Sequence, residues 1–219
     1  MTNKINIIGY PRVGKNREYK WIVEKYWRGD STLKDVFAIS DNLITNNWET
    51  QSLNGVDTVL AGDFSFYDQV LDTVTHLGIP QKRFGYTNHE NLETYFKASR
   101  GGKVNEKDEP PLDMTKWFDT NYHYLVPEID WSLDFQPTIN RFKYELDLAK
   151  SKNFNCRPKI IGPATLLTLA KEKGIDDNKL QKIVNAYLEL FRMLEEIGFK
   201  EVLLDEGCVG VGNHMVNDD

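Results

Sequence analysis

The stretch PKIIGPATLLTLAKEKGIDDNKLQKIVNAYLELFRMLEEIGFKEVLLDE, residues 158–206, decides the fold. Its first four residues end at Gly162-Pro163, as a short buried strand would. Over residues 178–197, Leu180, Ile183, Val184, Tyr187, Leu190, Phe191, Leu194 and Ile197 fall on one helical stripe. Residues 201–205 form another short apolar run. Strand, helix and strand in that order form the unit of a parallel sheet with a helical crossover.

Working outward, the alternation continues. Residues 5–10 read as a buried strand ended by Pro11 and Gly14. Asn16 is placed to cap a helix running through 25–27, and Ser31 a second helix through Trp48 to Gly55. Residues 58–61 read as a strand, 67–77 as a helix on Val70, Leu71, Val74 and Leu77, and 139–150 as a helix. Residues 122–129 are the third strand candidate. The segment 101–113, with Gly-Gly and Pro-Pro pairs among charges, reads as an exposed loop. The fold expected is α/β, a (β/α) TIM-type barrel that is incomplete, with about five of eight strands. Residues 1–219 read as a single truncated domain of that kind, with 208–219 an atypical tail. Arg12, Asp63, Asn121, Thr165, Asp205 and Glu206 follow strands, where a (β/α) barrel carries its site.

A net charge of −6 argues against nucleic acid as the main partner. The first thirty residues nonetheless hold seven lysines and arginines against three acids. A local cationic region on an acidic chain suits a small polyanion, although a solvated basic helix face has the same composition. No apolar run approaches the length that spans a bilayer, and residues 1–5 carry no signal-peptide core. Cys156 and Cys208, in no metal-type spacing, read as reduced structural thiols of a cytoplasmic protein.

Two segments carry the chemistry. In GYPRVGKNREYK, residues 9–20, Arg17 and Lys20 lie three apart near a helix start, so they share a face where free N–H groups favour anions. The Gly-Lys-Ser/Thr ending of a P-loop is absent. In MTKWFDTNYHYLVPE, residues 114–128, four aromatics stand among a lysine, an amide and a histidine. That run reads as a wall that stacks on a flat ligand and holds its charged end. His76 and His89 read as ordinary helix or loop residues, and His123 as a hydrogen-bonded strand residue rather than a ligand.

These two segments, with GDFSFYDQVLDT at 62–73 and IIGPAT at 160–165, resemble in order the N-terminal barrel of cobalamin-independent methionine synthase. The resemblance covers nearly all of residues 4–206. It implies a methyltransferase that moves a methyl group from 5-methyltetrahydrofolate polyglutamate to homocysteine. It implies two barrels, the C-terminal one holding zinc, and it places polyglutamate-tail binding at Arg17, Glu18, Tyr19, Lys20 and Lys116. Asn121 and Tyr122 are expected beside that groove. Glu18 reads as a salt-bridge or helix-start residue rather than an anion ligand.

The resemblance implies no catalytic residue, metal ligand or cofactor in this chain, zinc being expected only in a C-terminal barrel. Gly207 stands where the family usually has proline. Expected partners are the folate polyglutamate, a C-terminal zinc-barrel domain or chain, and a second copy of this chain. The alternatives are a stand-alone non-enzymatic binding protein on the same scaffold, and a hydrolase or lyase using Asp63, Asp205 and Glu206.

Overall fold

A computed structural model describes residues 4–172 and 174–211. Helices α1 (Glu18–Arg28) and α2 (Leu33–Leu53) precede strand β1 (Val59–Ala61). Helices α3 (Gln69–His76) and α4 (Leu92–Arg100) follow. Two hairpins come next: β2 (Gly102–Val104) with β3 (Lys107–Glu109), then β4 (Met114–Lys116) with β5 (His123–Leu125). Helix α5 (Asn140–Ser151), strand β6 (Cys156–Ile161), helices α6 (Pro163–Leu169) and α7 (Asp177–Glu196), strand β7 (Leu203–Asp205) and a short 3₁₀ turn (Gly207–Gly210) end the order. Residues 212–219, most of the tail expected at 208–219, lie outside the described residues.

The sheet is parallel, in the order β1-β6-β7, with Val59 opposite Cys156 and Lys159 opposite Leu203. Asn6 adds one parallel bridge to Thr58. The chain is therefore mixed α/β with a parallel sheet and helices, but the described residues show three parallel strands rather than five. Two sequence expectations account for the difference. Residues 5–10 pair only at Asn6, and Ile8 is 79% exposed, because nothing among the described residues covers that side. Residues 122–129 join no parallel sheet. They supply β5, which pairs antiparallel with β4, Lys116 opposite His123.

The physical reason is short-range closure. Trp117 N–H bonds Tyr122 O at 2.7 Å, and Thr120 bonds Trp117 O, so a tight turn delivers the partner strand before any distant one. Trp117 then meets the rings of Tyr122 and Tyr124 edge-on. Likewise the loop expected at 101–113 contains the β2/β3 hairpin. Its two-residue turn places Asn105 and Glu106 at φ 49° and 67°, the geometry that matches strand twist.

Helix starts follow local side-chain chemistry. Thr32, not Ser31, caps α2, and Asp35 returns the bond to the Thr32 N–H. Asp68 caps α3 and Asp176 caps α7. Asn16 does not cap α1. Arg17 takes that position at φ 61°, while Asn16 donates its backbone and side-chain N–H groups to Glu18. The α7 stripe buries Ile183, Ala186, Tyr187, Leu190 and Leu194, and Tyr187 reaches Ile161 O at 2.6 Å. Among the described residues no helix is long and apolar enough to cross a membrane.

Candidate functional site

The strand ends carry a connected set of charges. After β1, Asp63 accepts the Tyr10 N–H through Oδ2 at 2.7 Å and faces Lys159 Nζ through Oδ1 at 3.2 Å. Lys159 also lies 3.6 Å from Asp205 Oδ2, so one lysine from β6 stands between acids that follow β1 and end β7. Sequence reasoning missed Lys159; its signal is a cation set directly before the apolar pair that ends β6, Ile160 and Ile161. Glu206 accepts the Thr165 N–H at 2.8 Å, the Thr165 hydroxyl at 2.6 Å and the Ala164 N–H at 3.2 Å. It reaches the start of α6 because Gly162 has no side chain there: a Cβ would sit 2.1 Å from the Glu206 carboxyl carbon. Each acid of the alternative hydrolase reading is thus already engaged.

The cations near α1 divide into docked and free. Arg12 donates Nη2–H to Tyr67 O at 2.6 Å and lies over the Tyr19 ring. Tyr19 is 2% exposed, donates its hydroxyl to Phe66 O at 2.6 Å, and so anchors the helix start in the core. Glu18 accepts from Asn16, and backbone hydrogen bonds hold its carboxyl below the usual range. Arg17 and Lys20 are exposed, with Lys20 Nζ over the Trp21 ring. On the β4/β5 hairpin, Lys116, Asn121 and Tyr122 are exposed as well. Tyr122 is 48% exposed, yet partial burial first, and then the nearby Asp68, push its hydroxyl up to about 12.

The charge of Arg12 acts on Tyr122 in the opposite sense. The structure shows two exposed sets of polar side chains, Arg17 with Lys20 at the start of α1 and Lys116 with Asn121 and Tyr122 on the β4/β5 hairpin. The cavity described below is not lined by these residues.

Behind this surface lies a buried polar cluster. Asp72 Oδ1 accepts from the Tyr95 hydroxyl at 2.8 Å and lies 3.0 Å from His89 Nε2. His76 and His89, read from sequence as ordinary, are both buried, with ring centroids 4.4 Å apart. Burial holds His76 well below the usual histidine range. Asp68 Oδ1 accepts the N–H groups of Val70 and Leu71, while burial, with Asp72 adding, pushes its carboxyl up to about 7.

Against an ordinary value of 3.8, the folded chain keeps a proton on Asp68 that the unfolded chain has lost. Its contribution to stability is full below about pH 4 and falls away as the pH rises towards 7. Asp68→Asn keeps a capping oxygen and is expected to flatten that part of the stability–pH curve in urea titrations. An unchanged slope would remove Asp68 as its source.

Among the described residues no three His, Cys, Asp or Glu side chains stand together as a metal-binding set. Cys156 and Cys208 are each half-buried, and burial pushes the Cys156 thiol up rather than towards a thiolate.

Comparison with known proteins gives the context. The family described as "Cobalamin-independent synthase, N-terminal domain" matches residues 4–215. A 5-methyltetrahydropteroyltriglutamate–homocysteine methyltransferase of Neisseria meningitidis is 37% identical over 212 residues, covering 94% of this chain. The proteins of the same name from Haemophilus influenzae and Pasteurella multocida are 38% and 37% identical over 210 residues. The chain spans 27% of the length of each of these relatives. With nearly all of its residues matched, this chain belongs to the family of cobalamin-independent synthase N-terminal domains.

Proposed function

We propose that this chain is the part of a cobalamin-independent methionine synthase that holds the polyglutamate tail of the methyl donor, and that methyl transfer takes place outside it. The observation that carries this reading is the exposure of Arg17, Lys20 and Lys116, in a chain whose relatives are named for a triglutamate substrate. A triglutamate tail has several carboxylates, and Arg17, Lys20 and Lys116 would each meet one through charge-assisted hydrogen bonds. Tyr19 serves as the buried anchor of that surface, and Glu18 as the clamp on its loop. Asn121 and Tyr122 would line the hairpin side.

The engagement of Asp63, Asp205 and Glu206 with Lys159 and α6 supports a binding rather than a catalytic role for the strand ends. The sheet β1-β6-β7 is read as one wall of a (β/α) barrel, and zinc and homocysteine as belonging to a further domain or chain. Zinc held there would activate the homocysteine thiol.

The test compares triglutamate with monoglutamate folate binding by ligand-observed NMR. Arg17→Ala and Lys116→Ala are each expected to weaken the triglutamate form about three- to fivefold, the range of exposed charge pairs. The monoglutamate form should hardly change, and added salt should shrink the difference. Equal loss for both ligands would make these cations structural.

A further inference from the structure

Among the described residues the parallel sheet has two open edges. On one side β1 is bridged only at Asn6, and Ile5 and Ile8 are 54% and 79% exposed. On the other side β7 ends the order β1-β6-β7, and Leu204 is 40% exposed. A strand edge carries unpaired N–H and C=O groups and templates pairing with a further strand. Beside β7 the outer layer is open as well, with a cavity of about 540 Å³ walled by Phe191, Leu194, Phe199 and Val202.

The two edges complement one another. Asn6 pairs parallel to Thr58, and β1, β6 and β7 are parallel, so residues 5–10 and β7 run in one direction. Their charges are opposite. Residues 4–15 hold Lys4, Arg12 and Lys15 and no acid, whereas residues 201–206 hold Glu201, Asp205 and Glu206 and no cation. Pairing one β7 with another would set acids against acids, which is unfavourable across strands. Pairing β7 with residues 5–10 sets acids against cations.

The number of strands points to the occupant. Three strands and one bridged segment are half of the eight that close a (β/α) barrel. A twofold axis along such a barrel keeps every strand pointing the same way, so a second copy supplies the other half. We propose that this chain forms a twofold homodimer in which residues 5–10 of each copy pair parallel to β7 of the other, closing one barrel from two halves. Helix α1 of each copy, which follows residues 5–10, then lies over the cavity beside the other copy's β7. The inference rests on reading the sheet as a barrel wall and not on tail binding, so the folate comparison above and the test below succeed or fail separately.

Analytical ultracentrifugation of the 219-residue chain should show a species of twice 25.4 kDa that dissociates on dilution. Ile8→Glu sets an acid against the acidic edge, and Leu204→Lys a cation against the basic one. Both side chains are exposed, so circular dichroism should show each variant folded. Each substitution enters the dimer twice and should raise its Kd at least about a hundredfold. An equimolar mixture of the two variants retains one unmodified junction, and should dimerise at least about tenfold more tightly than either variant alone. A chain that stays monomeric at about millimolar concentration would overturn the dimer while leaving the barrel wall untouched. A mixture no tighter than its components would overturn the exchange of edges. If Ile8→Glu stays dimeric while Leu204→Lys does not, β7 meets β7, and both the proposed dimer and the barrel wall are wrong.

Discussion

Gly78→Ala is expected to leave no stably folded chain. Gly78 follows α3 at φ 59°, where a side chain is disfavoured by about 1 kcal/mol. The larger effect is contact. A Cβ there would lie 1.8 Å from Gln136 O and 2.1 Å from Gln136 C, both backbone atoms. That backbone has no room to move aside, because Gln136 N–H bonds Gly78 O at 3.0 Å and Thr138 N–H bonds His76 O at 2.8 Å. Together these place the substitution in the rare class above about 4 kcal/mol. Gly29→Ala is the control. It has a similar φ of 81° with nothing within 4 Å, and should cost only about 1 kcal/mol. Equal urea midpoints for the two variants would show that the α3–α5 connection yields, against this account.

Glu145→Ala should cost about 3–5 kcal/mol, the usual result of removing one partner from a buried ion pair. Glu145 and Arg141 are both buried, and Glu145 Oε2 also accepts the Gly62 N–H at 2.7 Å. Alanine leaves a guanidinium and an amide unmatched inside the protein. Glu145→Gln keeps an acceptor for Gly62 and should cost less. Replacing Arg141 and Glu145 together by Met and Leu should recover most of the loss, since the pair as a whole contributes little once its desolvation is counted. If Glu145→Ala melts within a degree or two of the parent, Arg141 is being solvated, and the burial described here is wrong.

The parts of the fold legible in the sequence are those fixed by local pattern. The stripe of α7, the apolar runs of β6 and β7, and the apolar spacing of α3 all depend on neighbours in sequence. The antiparallel β4/β5 hairpin was misread because His123, Tyr124 and Leu125 suit either kind of sheet, and only the turn at 117–122 decides. Helix α4 went unassigned: nine residues are marginal alone, and it is held by Tyr95, whose hydroxyl reaches Asp72 across the core.

The candidate site divides in the same way. Arg17 and Lys20 share an exposed helix start, as their spacing implies. The docking of Arg12 on Tyr67 O spans 55 residues, and no window of sequence reveals it.

Arg17 carries a further consequence. It caps α1 at φ 61°, a conformation in which glycine would be at ease. The backbone at this position favours the residue with no side chain, whereas the carboxylate of the proposed tail would favour the one with a guanidinium. Stability and recognition therefore make opposed demands on a single residue. A version of this chain selected only for thermal resilience would drift towards glycine at position 17 and grow blunter as a binder while becoming sturdier as a fold.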